Sequence, residues 1–307
     1  MININGVTKA FEKSIAINNL TLEIGPGVTG LVGHNGAGKT TLLRLIADVY
    51  ECTSGNILID GKSNALGENK SNLFFLSDDP YYDRNSTISD VFEFYSMFYS
   101  INAETFRSLV IKFELPGGKK ISTFSKGMKR QLFIALTLSM NCKYILMDEA
   151  FDGIDPMVLE LIKDEIIKIV SSEEKTLILS SHNMSLIERL CDKLIILDRG
   201  IIGQNGNMED IGTNYFKYQC FFNKEVTKES LEELGIEIIF FKKNGSLINF
   251  VSLGEVDETL IKENFETILF ETIPIEHSEI IAIEMMATKI RTQKLNGGER
   301  DEEKDIY

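Results

Sequence analysis

The stretch Gly33-His-Asn-Gly-Ala-Gly-Lys-Thr40 constrains this 307-residue chain more than any other. It matches G-x-x-x-x-G-K-[ST] in full. An apolar run, Val28–Val32, leads into it, and a helical pattern, "TTLLRLIADVY", follows. A glycine-rich turn between a strand and a helix points several backbone N–H groups into one concavity, and the positive end of the helix dipole lies over it. Such a concavity takes a phosphate chain. Gly33, His34, Asn35, Gly36, Ala37 and Gly38 wrap it, and Lys39 reaches the β- and γ-phosphates as a mobile point charge. Thr40 offers its hydroxyl to Mg²⁺, and Thr41 bonds the α-phosphate side. The strand–loop–helix order also demands a sheet with helices packed on it, so the class is α/β.

Two further stretches complete a phosphate chemistry. "YILMDEA" (Tyr144–Ala150) is an apolar strand ending in two acids. Open α/β sheets bind ligands at the C-terminal edge of their strands, so Asp148 falls where it can hold Mg²⁺. Glu149, on the other side by the period of two, is placed to polarise a water. "TFSKGMKRQ" (residues 123–131) opens a helix, with Ser125 as its N-cap. Cations favour the opposite end of a helix, yet Lys126, Lys129 and Arg130 crowd this one, beside a flexible Gly127. A capping hydroxyl and three cations make an anion site.

The rest of the chain organises around these motifs. Strands are expected at Ile2–Ile4, Leu20–Ile24, Val28–Val32, Asn56–Ile59, Leu73–Leu76, Tyr144–Met147, Thr176–Leu179 and Leu194–Leu197. Between Thr87 and Met140 only helical periods appear, a helical insert of about 80–140 within a mixed-sheet domain of 1–215. In "DVFEFYSMFY" the helical spacing sends Val91, Phe94, Tyr95 and Phe98 to the core and leaves Phe92 and Tyr99 for a docking surface. A second unit, 216–290, reads β-α-β-β-α-β plus a terminal helix, with Asn244-Gly245 as a hairpin turn. That order implies a small ferredoxin-like α+β domain, in which His277 is structural. Residues 291–307 read as a disordered tail. The net charge of −14 argues against a nucleic-acid partner. Cys52, Cys142, Cys191 and Cys220 form no metal-ligand spacing and read as reduced, packed thiols. No signal peptide and no apolar run of spanning length is seen, so any membrane role requires another chain.

The order of these motifs resembles the nucleotide-binding subunit of ABC transporters. Gly33–Thr40 stands where that family has its Walker A, Tyr144–Asp148 with Glu149 its Walker B, and "FSKGM" its LSGGQ-type signature. "GIDP" stands for the D-loop, with Asp155, and "LILSSHNM" places His182 at the switch histidine. The resemblance covers residues 1 to about 205. It implies a P-loop NTPase of the ABC cassette type, with ATP and Mg²⁺ as cofactors and Lys39, Glu149 and His182 in catalysis. Thr40, Asp148 and Asp78 would serve the metal. Ser125 and Gly127 would contact the γ-phosphate of a second cassette, in a homo- or heterodimer. Phe11 would stack on adenine, with a core phenylalanine as the rival reading. There are departures. Lys126 and Met128 replace a glycine and a glutamine of the signature, and Asp78 stands at the Q-loop glutamine.

"SKGMKR" is similar to the variant of single-cassette export ATPases. The expected function is therefore the ATPase subunit of an exporter. It would sit at the inner face of the cell membrane through a separate transmembrane permease, with drugs or amphipathic, antimicrobial-type peptides as cargo. Two rivals remain: a soluble, non-transport ABC ATPase, and a regulatory cassette that binds ATP with little hydrolysis.

Overall fold

Two sheets of opposite character build the first 208 residues. In chain order the elements are β1 (Ile2–Phe11), β2 (Ser14–Ile24), β3 (Gly27–Val32), α1 (Lys39–Ile46), β4 (Ser54–Ile59), β5 (Lys62–Ser63), α2 (Gly67–Asn72), β6 (Leu73–Leu76), α3 (Ile88–Ser96), α4 (Ala103–Lys112), α5 (Lys126–Leu138), β7 (Tyr144–Asp148), α6 (Pro156–Glu173), β8 (Thr176–Ser181), α7 (Met184–Leu190), β9 (Lys193–Asp198) and β10 (Ile201–Asn207). The computed structural model describes residues 1–290 other than Lys13, Asn183, Ile211, His277, Ser278, Ile281, Met285 and Lys289. The chain divides into two compact units, Met1–Met208 and the residues from Glu209 onward.

One sheet of the first unit is antiparallel, in the order β2-β1-β4-β5. The other runs β10-β9-β3-β8-β7-β6 and is parallel apart from β10. Strands covered on both faces read as unbroken apolar runs, and β7 and β8 are buried along their whole length. Leu42, Leu43, Leu45 and Ile46 of α1 pack in one cluster with Ile2 and Ile57 of the first sheet and Leu146 and Ile178 of the second. The parallel strands end in step, with Val32 opposite Ser181 and Ile196, and Asp148 opposite Ser180. The loops after β3, β6, β7, β8 and β9 therefore leave from one edge. Asp60, in the turn between β4 and β5, ties the two sheets. It accepts hydrogen bonds from Lys143 at 2.8 Å and Tyr144 at 2.6 Å.

Between β6 and β7 the chain is helical. Thr87 closes a capping box with Asp90 on α3, Asn102 caps α4, and Ser125 caps α5 by accepting from Met128 N at 3.1 Å. The face of α3 differs from its expected orientation. Ile88 and Val91 are buried, Phe92 stacks on Phe106, and Tyr95 and Tyr99 both meet Phe74. Phe94, Met97 and Phe98 face out, Met97 at 74% and Phe98 at 65% exposure. Aromatic partners on α4 and β6, long-range in sequence, decide the rotation of this short helix.

Strand boundaries were legible only where a strand is buried. β1 and β2 run well beyond Ile4 and start well before Leu20, because their shared half is mostly half-buried or exposed, with Val7 and Ile17 as isolated buried positions and no sustained alternation. β5 and β10 had no sequence signal. β10 ("IIGQNGN") is a half-exposed edge strand whose glycines and asparagines read as turn residues.

The second unit holds β11 (Tyr215–Phe222), α8 (Lys228–Glu232), β12 (Glu237–Asn244), β13 (Leu247–Leu253), α9 (Glu258–Asn264) and β14 (Thr267–Ile273). Its antiparallel sheet has the order β12-β13-β11-β14, the strand order of a ferredoxin-like β-α-β-β-α-β chain. Asn244 pairs with Leu247 across Gly245, whose φ is +63°. The unit begins before residue 216, because Tyr215 donates to Glu284 and Gly212 lies against Ile280. The described residues of 279–290 are helical. His277 and the expected tail of 291–307 lie outside the described residues. All four cysteines are free, and burial pushes Cys142 up to about 11 and Cys220 up to about 12.

Candidate functional site

A cavity of about 500 Å³ opens at the C-terminal edge of the parallel sheet, within the roughly 300–1,000 Å³ of small-ligand sites. Its wall includes Asn35, Gly36, Gly38, Lys39, Thr40 and Thr41 from the loop after β3, Asp78 after β6, Glu149 and Asp152 after β7, His182 after β8, and Lys126 and Arg130 of α5.

The loop's shape follows from its glycines. A Cβ on Gly33 would stand 2.2 Å from Leu197 O, so only glycine lets the loop lie against β9. Gly36, at φ +85°, has open space around it but a backbone that side chains rarely adopt. Gly38 ends the loop as the N-cap of α1 at φ +107°, with no side-chain acceptor for the first helical N–H groups. Those donors and the helix dipole are left for an anion. Lys39, only 6% exposed, donates to Gly33 O at 2.8 Å and His34 O at 3.3 Å, and its Nζ lies 3.5 Å from Glu149 Oε1. Gly33, His34 and Ala37 do not line the cavity. The His34 ring turns away, with Nε2 2.8 Å from Asp198 Oδ1 and Nδ1 2.6 Å from Asn35 O.

Asp148 is buried at the end of β7 and accepts from Ser180 Oγ at 2.6 Å. Glu149 then leaves the strand at φ +47°, an uncommon conformation for a side-chain-bearing residue, found where surrounding structure enforces it. Its N–H donates to Ser180 Oγ at 3.0 Å and Ser180 O at 3.2 Å. With the backbone so turned, Glu149 Oε2 stands 2.9 Å from His182 Nδ1. A carboxylate braced between an imidazole and a lysine, beside a ring of N–H donors, can orient a water against a bound phosphate.

Other predicted positions stand elsewhere. Asp78 lines the main cavity and an adjoining one of about 230 Å³ beside Tyr82, Lys129 and Phe133. Ser125 and Gly127 do not line the cavity of their own chain. A Cβ on Gly127 would lie 2.9 Å from Gly153 O. Asp155 caps α6 by accepting from Met157 N at 2.8 Å. Phe11 is 44% exposed, so the core reading is set aside. It meets Tyr50 edge-on at 5.7 Å with Lys9 over its ring at 5.1 Å, outside the cavity wall. Sequence reasoning missed Ser180, Asp152 and Asp198. Ser180 sits two residues before His182 and Asp152 inside "FDGIDP", but only the pairing of β7 with β8 shows what they face.

A P-loop, a strand-end acid pair and a histidine on one sheet edge define a nucleotide hydrolase. The ABC transporter family matches residues 17–152. The ABC transporter ATP-binding protein YtrB of Bacillus subtilis is 30% identical over 233 residues, 74% of this chain and 78% of that protein. The lantibiotic transport ATP-binding protein SrtF of Streptococcus pyogenes is 29% identical over 229 residues, 71% and 99% of the two chains. The methionine import ATP-binding protein MetN 3 of Shouchella clausii is 26% identical over 312 residues, 91% and 86% of the two chains. A dimeric ATP-binding cassette in a post-hydrolysis state bound to ADP and Pi shares the fold, with a TM-score of 0.56 at 21% identity over 68% of this chain and 99% of that one. The chain belongs to the ATP-binding proteins of ABC transporters, which are ATP hydrolases.

Proposed function

We propose that this protein is the ATPase subunit of an ABC exporter, and that two cassettes sandwich two nucleotides. The observation that carries the hydrolytic part is the Glu149–His182 pair at 2.9 Å, with Lys39 beside it, in one cavity with the P-loop. In this reading Lys39 and the N–H groups of α1 bind the β- and γ-phosphates. Glu149 takes the proton of the attacking water, and His182 orients the γ-phosphate and the water. The Thr40 hydroxyl and the carboxylates of Asp148 and Asp78 are hard oxygen donors of the kind Mg²⁺ prefers, and the ion would neutralise charge on the phosphates. The intact pair speaks against the regulatory, non-hydrolysing alternative.

Ser125, Gly127 and Asp155 serve the partner cassette's nucleotide. Phe11 stands beside the base. Among the described residues no helix is long and apolar enough to cross a membrane. In this reading transport runs through a separate permease. Tyr81, Phe94, Met97 and Phe98 offer that permease an apolar patch on the helical insert. The protein then works at the cytoplasmic face. Export of amphipathic peptides or drugs is supported by the "SKGMKR" signature and the kinship to a lantibiotic transport protein; the methionine import relative shows that similarity alone does not set direction.

The sandwich is tested by mixing two crippled variants, Lys39→Ala and Ser125→Arg. Each homodimer has two damaged sites, whereas a mixed dimer gathers both lesions in one site and leaves the other whole. Tight ATP binding should return on mixing. No recovery, with mixed dimers shown to form, would assign α5 to its own chain's nucleotide.

A further inference from the structure

Asp152 has no role in the scheme above, yet it stands against the reacting pair. One carboxylate oxygen of Asp152, one of Glu149 and a ring nitrogen of His182 lie within 4.8 Å of one another. Three such donors have the makings of a divalent-cation site, but the charges nearby argue otherwise. Lys39 Nζ lies 3.5 Å from Glu149, and the Arg130 guanidinium lies 3.9 Å from Asp152 Oδ2. Two fixed cations already face the two carboxylates, and a third would meet their repulsion at short range.

The far side of Asp152 is more telling. Arg130, one and a half turns into α5 and only 10% exposed, donates from Nη1 to the Asp152 carbonyl while its guanidinium faces the Asp152 carboxylate. One turn earlier, Gly127 lies so close to Gly153 O that a Cβ would stand 2.9 Å from it. Two neighbouring points on the N-terminal turns of α5 thus meet two consecutive residues of the loop after β7, one through a hydrogen bond and one through close packing. That loop begins at Glu149, whose left-handed backbone is held by Ser180.

We infer that Arg130 and Asp152 are positioning residues that couple the seating of α5 to the geometry of the Glu149–His182 pair. The inference rests on the hydrolytic reading given above. With α5 seated, Arg130 clamps the Asp152 backbone and turns its carboxylate toward His182. With α5 withdrawn, the loop loses both anchors and the pair loses one side of its frame. Both contacts come from Nη1; the rigid, delocalised guanidinium holds that nitrogen in place and keeps its charge beside the carboxylate, whereas a lysine ammonium sits on a flexible stem. A movement of α5 would in this way adjust hydrolysis through the loop after β7.

The test uses the full chain, with steady-state ATP hydrolysis and the affinity of a fluorescent ATP analogue as readouts. Arg130→Ala and Asp152→Asn should each lower kcat about ten-fold and shift analogue affinity by less than about two-fold, since a misplaced catalytic group costs rate rather than binding. Arg130→Lys should stay near the alanine value, whereas a mere packing role would be rescued by the lysine stem. In a His182→Ala background, Arg130→Ala should cost less than about two-fold more, because the group it positions is already gone. Should Arg130→Ala fail to fold, Asp152→Asn, which keeps the backbone carbonyl, takes its place in the same cycle. Losses that multiply in both backgrounds, or affinity falling in step with kcat, would overturn the link and leave the hydrolytic reading standing. Parental turnover in both His182→Ala and Glu149→Gln would remove the hydrolytic reading, and the link with it.

Discussion

Replacing Ser180 by alanine tests how the strand-end acids are held. Ser180 is fully buried in β8, and its Oγ donates to Asp148 Oδ1 at 2.6 Å and accepts from Glu149 N at 3.0 Å. Alanine removes both bonds. The Glu149 N–H keeps a partner in Ser180 O at 3.2 Å, a backbone atom that the substitution spares. The net loss is therefore chiefly the hydrogen bond to a buried carboxylate, worth about 1.5–3 kcal/mol. A loss of about 2 kcal/mol in a unit of this size lowers the melting midpoint by roughly 4–8 °C. The chain has no tryptophan, so urea and thermal unfolding are followed by circular dichroism. Hydrolysis should fall more than nucleotide affinity, because the left-handed turn at Glu149 loses one of its two fasteners. A change below about 0.5 kcal/mol, the range of an indifferent surface substitution, with kcat unaltered, would refute the reasoning. It would mean that Ser180 merely fills space between Asp148 and Glu149.

Two further outcomes follow from the structure. Burial raises the Asp60 carboxyl, but hydrogen bonds from Lys143, the Met1 amine and Tyr144 outweigh it and hold the group well below the usual carboxylate range. Its stabilising share is therefore whole above about pH 4 and disappears as pH falls through the depressed folded value. Asp60→Asn, which tolerates the φ of +49°, should cost about 1 kcal/mol at pH 7, a modest figure because the side chain is 44% exposed. The deficit should vanish in acid unfolding, and an equal deficit at all pH values would contradict the assignment. Second, a chain ending at Met208 should remain folded and bind an ATP analogue, since every cavity residue lies in the first unit. An insoluble or nucleotide-blind product would show that the unit does not stand alone.

What the sequence disclosed was whatever is local. Gly33–Thr40 carries strand, loop and helix in one stretch, and the glycines' steric need is written in their order. The Asn244-Gly245 turn was equally plain, as was the Ser125 cap, which acts within a few residues. What stayed hidden depends on pairing across the chain. The outward face of α3 is set by Phe74 and Phe106, neither of which lies within the helix. The bracing of Asp148 and Glu149 by Ser180 appears only once β8 lies beside β7. The same holds for Asp152, which gains meaning from Arg130 on one side and His182 on the other. The ring of His34 belongs here too: its contact with Asp198 at the end of β9 depends on β9 lying beside the loop.

Glu149 serves, in the function proposed above, as the base in an ATP-closed dimer. Glu149→Gln keeps the shape of the side chain, whose nearest partners are Lys39 and His182, and removes its proton-accepting charge. Turnover should fall by about 10²–10⁴-fold, the usual worth of a positioned general base, while ATP affinity is kept. With Mg²⁺ and ATP the variant should run as a dimer in size-exclusion chromatography and return to monomer when nucleotide is withdrawn. Hydrolysis at the parental rate would deny Glu149 the role of base, and a variant that stays monomeric with ATP fully bound would deny the closed dimer.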